Sequence, residues 1–259
     1  MSEQLNNSVL TAFEILSLFS NGRQSLTSQI VCKELGLKPI TAHRFLRTLE
    51  VAGALVSERR GQYRLGLALA HLGSIAASSD VIARIAQPYL DDLASRFRET
   101  AIATTYRNNR MVVIASANSS RSYSLNMGVG EPLEMHCTAN GKLWLASLTN
   151  EQVESFLSSQ ELQAYTPRTV VDAQRLKVEI EQVRKDGYSF CKGEREAEIT
   201  AIGVPVLSGV GRMIAGISLV GANSHFGEEF TREALEALRK TAEGISASVA
   251  GESDSYEHD

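Results

Sequence analysis

No run of eighteen apolar residues occurs anywhere in this chain of 259 residues, so no segment reads as a membrane-spanning helix and no membrane partner is expected. The opening MSEQLNNSVL lacks the basic stretch followed by an apolar one that a secretory leader needs. Cysteine is scarce. Cys32, Cys137 and Cys191 cannot all pair, which argues against a disulfide-stapled scaffold and for free thiols in a reducing cytoplasm. Gly-x-Ser-x-Gly, His-Glu-x-x-His, the glycine-rich phosphate loop and Cys-x-x-Cys are all missing. The commonest signatures of hydrolase, zinc-protease and nucleotide-binding chemistry are therefore absent, and no cofactor or metal is expected. His136 and Cys137 are neighbours, but on an extended segment neighbours point to opposite faces, so the histidine is badly placed to activate the thiol. An enzyme, or a winged helix that binds protein, stands as the alternative to the reading developed below.

What is present is a globular composition, 43% hydrophobic and 22% charged, with a net charge of −4. The charge is uneven. Up to His71 there are eight lysines and arginines against five acids, a net of +3, and the remainder carries −7. An anionic partner for the first segment alone follows from that asymmetry.

The first segment reads as helix, helix, tight turn, helix, hairpin. Residues 8–20 repeat apolar side chains at helical spacing, with Ser8 as the expected cap and Asn21-Gly22 as the end. Thr27 can cap a second helix that Gly36 stops, and Pro39 suits the first turn of a third. Ala54–Ser57 and Gln62–Leu65 read as strands around Glu58-Arg59-Arg60-Gly61.

On the third helix Ala42, Phe45, Leu46 and Leu49 share one face, and Ile40, His43, Arg44 and Arg47 share the opposite one, with Thr41 beside them. A helix built this way can bury one side and lay the other in a DNA major groove. There arginine can bond guanine bidentately and Ile or a Thr methyl can touch thymine. Arg59, Arg60 and Arg64 on the hairpin would reach phosphate or the minor groove, and Thr27 at the start of the second helix and Lys38 just before the third are further DNA-contact candidates.

Beyond residue 66 an alanine- and leucine-rich helix to about 77 reads as a linker, broken by Ser78-Ser79-Asp80. A helix over 81–98, strands over 101–107 and 111–117 around Asn108-Asn109, and strand and loop over 122–135 follow. Further helices are expected over 138–148, after a capping box at Thr149 and Gln152, and over 172–185 before Gly187. Strands over 199–207 and 213–220 and a helix over 231–250 complete the pattern, with an acidic tail from 252 expected to be disordered. The fold class is α+β, with units at 1–66, 67–80 and 81–251.

The chain resembles the IclR (isocitrate lyase regulator) family of bacterial transcription factors. The resemblance rests on LTSQIVCKELGLKPITAHRFLRTLEVAGAL, YRLGLALAHLG, EPLEMHCTANGKLWLASLTNEQ, VRKDGYSF, AIGVPV and IAGISLVG in that order. It implies an N-terminal winged helix-turn-helix, a linker helix and a C-terminal GAF-like effector domain. It also implies a homodimer or homotetramer on double-stranded operator DNA, controlled by a small molecule, commonly a carboxylate. The pocket it implies comprises Ala139, Asn140 and Gly141 on a loop before a helix, Cys191, Ala201, Ser218 and Val220 on strands, and Met127 at one side.

The departures are specific. In a close pattern of the family, Cys191, Ala201, Val220 and Asn140 are aspartate, cysteine, serine and alanine. Lys38-Pro39-Ile40 replaces a Pro-Lys-Ser order. A less polar acid, with an aromatic or longer aliphatic body, is the expected ligand.

Overall fold

A computed structural model describes residues 5–21, 23–59, 61–107, 110–121 and 125–255. The chain forms two compact units that part between Ala76 and Ala77.

In the first unit, α1 (Asn7–Ser17) continues as a single-turn 3-10 helix over Leu18–Asn21. Its cap is Asn6, whose side chain accepts from the Ser8 and Val9 amides, so the cap lies two residues before the expected Ser8. A short strand, β1 (Leu26–Thr27), was not expected. Thr27 then caps α2 (Ser28–Leu35) by accepting from the Ile30 amide. Gly36 takes φ of +66°, the left-handed conformation that ends a helix at least cost to glycine. Pro39 opens α3 (Pro39–Val51). Strands β2 (Leu55–Arg59) and β3 (Gln62–Leu65) form the hairpin, and β1 adds to β3 in a three-stranded antiparallel sheet. Ile15, Leu26, Val31, Ala42, Leu46 and Leu55 close the small core. Helix α4 (Leu67–Ser78) follows.

The second unit starts with α5 (Val81–Phe97), capped by Asp80. Strands β4 (Thr100–Arg107) and β5 (Arg110–Ala117) pair antiparallel, and the expected turn at Asn108-Asn109 lies outside the described residues. Next come β6 (Pro132–Leu133), α6 (Ala139–Ser147), α7 (Asn150–Ser159), α8 (Ala173–Asp186) and β7 (Ser189–Lys192). The unit closes with β8 (Ile199–Leu207), β9 (Met213–Ala222) and α9 (Glu228–Ser255). The tail expected to be disordered from 252 is helical through Ser255, because α9 continues past the glycine at 251. Residues 256–259 lie outside the described residues.

The six strands of this unit run β6-β5-β4-β9-β8-β7 in one sheet. Strand periodicity of two sorts their side chains. Ile202, Val204, Val206, Ala215, Ile217 and Leu219 pack with α5 and α9 residues such as Leu90, Leu93, Leu238 and Ile245. The alternate positions Ile102, Ala201, Ser218 and Val220 point to the other face, where α6 lies against β7, β8 and β9. That second face carries the cavity described next.

Candidate functional site

The exposed side of α3 is built by the same helical spacing that buries Ala42, Leu46 and Leu49. Ile40, His43, Arg44, Arg47 and Thr48 are exposed, with Ile40 at 79%, and Thr41 is half-buried. An isoleucine so exposed at the start of a helix stabilises nothing in this unit. Arg47 donates to Glu50 at 2.6 Å, whereas Arg44 makes no ion pair among the described residues. Arg59 and Arg64 are exposed on the hairpin, and Lys38 is exposed just before α3. Arg60 lies outside the described residues. The Thr27 hydroxyl oxygen accepts from the Ile30 amide at 3.3 Å as the α2 cap, which leaves its proton and a second lone pair for another partner.

In the second unit a cavity of about 90 Å³ is lined by Met127, Ala139, Asn140, Cys191, Ala201, Ser218 and Val220, seven of the eight pocket positions drawn from the resemblance. The space suits a small metabolite and is far too small for a dinucleotide. Register explains the convergence: Ala201 pairs with Val220, and Ile102 with Ser218, on neighbouring strands. Gly141 does not line the cavity. A Cβ there would stand 2.5 Å from the Glu134 and Met135 backbone, so glycine permits the 134–135 segment to pass against α6. Its amide donates to the Thr138 cap at 3.1 Å.

Asn140 is 1% exposed, and its amide nitrogen lies 3.4 Å from the Gly216 carbonyl. A Cβ on Gly203 would stand 2.7 Å from its Oδ1, so the missing side chains of Gly203 and Gly216 make the room this larger residue occupies.

The charged residues of the cavity wall have no local sequence signal. Glu131, Glu134, Glu194, Arg195 and Glu196 all line it. Arg195 Nε donates to Glu134 Oε2 at 2.7 Å, and the Tyr165 hydroxyl donates to Glu134 Oε1 at 2.8 Å. Burial pushes the Glu134 carboxyl up, but these two bonds, together with a backbone hydrogen bond and the Arg195 charge, outweigh it and lower the group below its ordinary value. Lys142, almost fully buried, donates to Glu194 at 2.5 Å and to Glu179 at 2.7 Å. Burial alone would lower its pKa; its acidic neighbours keep it raised and charged. These partners lie 37 and 52 residues away from Lys142 in sequence, out of reach of any motif.

The two cavity thiols are poor nucleophiles. Burial, reinforced by Glu134, pushes Cys137 up to about 12, and burial with Glu194 pushes Cys191 higher still. His136 is directed elsewhere, with Nε2 2.9 Å from the Gln163 carbonyl. Among the described residues no helix is long and apolar enough to cross a membrane.

Comparison with known proteins agrees with this architecture. Residues 8–59 match the IclR helix-turn-helix domain, and residues 75–247 match the bacterial transcriptional regulator IclR C-terminal domain. The HTH-type transcriptional regulator KipR of Bacillus subtilis is 25% identical over 244 residues, covering 94% of this chain and 97% of that protein. The HTH-type transcriptional repressor AllR of Escherichia coli is 26% identical over 231 residues, covering 89% of this chain and 84% of that protein. An IclR homolog from Microbacterium hydrocarbonoxydans, solved with 4-hydroxybenzoate, is 27% identical with a TM-score of 0.75, covering 93% of this chain and 98% of that one. With a helix-turn-helix unit in front, a curled-sheet unit behind and both halves matched, the chain belongs to the IclR family of bacterial transcriptional regulators and is not an enzyme.

Proposed function

We propose that this regulator represses a catabolic operon by holding α3 in the major groove of its operator, and that a small organic acid in the second-unit cavity changes its hold. The observation that carries the DNA half is the exposed ridge of Ile40, His43 and Arg44 behind a fully buried Ala42 and Leu46. Arg44 and His43 are assigned to base edges, and Thr41 and Arg47 to phosphate or base. Thr27, Lys38, Arg59, Arg60 and Arg64 are assigned to phosphate, with the hairpin arginines also near the minor groove. Such a protein works in the cytoplasm, where promoter DNA lies.

For the ligand half, the support is a cavity that joins an apolar strand face to a charged wall and a helix N-terminus, together with an aromatic acid in a relative that shares this architecture. A homodimer, alone or doubled to a tetramer, would set two α3 helices on successive grooves. Its support is apolar surface on two helices of the first unit: Val9 at 52% and Phe13 at 64% on α1, Leu67 at 87% and Leu72 at 61% on α4. Allostery requires the acid to favour one arrangement over the other by its own binding energy.

Footprinting on the promoter regions of its own and adjacent genes, with and without candidate acids, tests both halves. Protection of a pseudo-palindrome that an acid weakens is the expected result. Protection nowhere would refute the DNA assignment.

A further inference from the structure

Building on the ligand reading of the cavity, we infer that its occupant is two-ended: a carboxylate at one end and a hydrogen-bond donor, hydroxyl or ammonium, at the other, with Glu194 selecting the donor. Glu194 is 8% exposed and lines the cavity. Its Oε1 accepts from Lys142 Nζ at 2.5 Å and lies 3.2 Å from Cys191 Sγ. Its Oε2 is buried and has no hydrogen-bond partner among the described residues. A buried carboxylate oxygen left without a donor is costly, and a ligand hydroxyl or ammonium relieves it.

The residue is also held in place. Thr169 Oγ1 donates to the Glu194 carbonyl at 2.6 Å, and Thr166 Oγ1 to the Gly193 carbonyl at 2.6 Å. A fixed acceptor discriminates, because it cannot turn away to accommodate a ligand lacking the donor.

The same wall repels a bare anion. Glu131, Glu134 and Glu196 accompany Glu194, and Arg195 is already bonded to Glu134. A ligand carboxylate belongs instead at the start of α6. There the Gly141 and Lys142 amides are taken by Thr138, while the Ala139 and Asn140 amides have no acceptor among the described residues. Both residues line the cavity. An anion-favouring end and a donor-seeking end in one cavity define a hydroxy or amino acid.

The test is titration calorimetry of the full chain with two matched sets: 4-hydroxybenzoate, 4-methoxybenzoate and benzoate; and 4-hydroxybutyrate, 4-methoxybutyrate and butyrate. The expected result is that in at least one set the hydroxy acid binds about tenfold or more tightly than both its methyl ether and its parent. Glu194→Gln, checked for folding by its melting curve, should bring the three members of that set together. If the acids bind without regard to the hydroxyl, donor selection is refuted and the cavity remains a ligand site. If no member of either set binds, the ligand reading fails as well. If Glu194→Gln folds and keeps the preference, Glu194 is not the selecting residue. Should that variant not fold, the two ligand sets decide by themselves.

Discussion

The Arg47 guanidinium sits 2.6 Å from the Glu50 carboxylate on α3, one turn along the same helix. That pair leaves Arg44, a turn earlier and without an ion pair among the described residues, as the cation on this face most ready to reach a base. Surface ion pairs are weak, so DNA can still recruit Arg47, but only after part of its attraction is surrendered to Glu50.

Arg44→Ala should therefore weaken binding to the operator by roughly 1–3 kcal/mol while leaving the melting temperature unchanged. Arg47→Ala should cost less, under about 1 kcal/mol, and should weaken specific and random DNA alike. Fluorescence anisotropy with operator and scrambled duplexes separates the two effects. Equal losses for both variants on both duplexes would show that Arg44 reads no base.

The packing of Asn140 over Gly203 gives a prediction about stability. Gly203→Ala places a methyl 2.7 Å from Asn140 Oδ1 and 3.1 Å from the Ile217 carbonyl. It should cost about 1–3 kcal/mol in denaturant unfolding, the usual range for an overpacked interior. Asn140→Ala in the same chain should recover part of that loss, because it removes the nearest obstacle. A double-mutant cycle with no coupling between the two positions would contradict this packing.

Thiol chemistry offers a third check. Cys137 at about 12 leaves roughly one thiolate in ten thousand at pH 8, and Cys191 leaves fewer. Cys32 is only half-buried. Mass spectrometry after brief alkylation of the native protein should find the label on Cys32 first, with Cys137 and Cys191 labelled only once denaturant is present. Rapid labelling of either cavity thiol would mean that the second unit opens readily.

The same burial makes stability depend on alkaline pH. The unfolded Cys137 loses its proton near its ordinary value of 9.0, whereas the folded one keeps it to about 12. Its contribution is complete below the lower value and is lost as pH rises toward the upper one. Urea midpoints should fall across that window, and fall less steeply in Cys137→Ser. An identical slope in the variant would assign the loss to other groups.

Much of the fold was legible because its signals are local. Thr27, Gly36, Pro39, the Thr149–Gln152 capping box and Gly187 each act within four residues of themselves, and all stand where the sequence places them. The cap of α1 was placed at Ser8, whereas the Asn6 side chain, two residues earlier, accepts from the Ser8 and Val9 amides and starts the helix there. Strands β1 and β7 have only two and four residues, too few to show a period, and exist because partners distant in sequence offer them an edge. The wall of Glu134, Glu194 and Arg195 was invisible for the same reason, since each contact joins segments that only the fold brings together. Ala201, Ser218 and Val220 were named by the resemblance alone, and the register of β8 and β9 gives the physical reason that they share one face of the sheet.

That this chain reads duplex sequence through α3 is tested most directly by competition binding. Full-length protein on a labelled promoter fragment is challenged with unlabelled promoter or with random duplex, over a series of salt concentrations. The expected result is a preference of about a thousandfold or more for the promoter at physiological salt, reduced by roughly tenfold or more in Arg44→Ala. Equal competition by the two duplexes at every salt concentration would contradict the assignment of α3 as a base-reading helix.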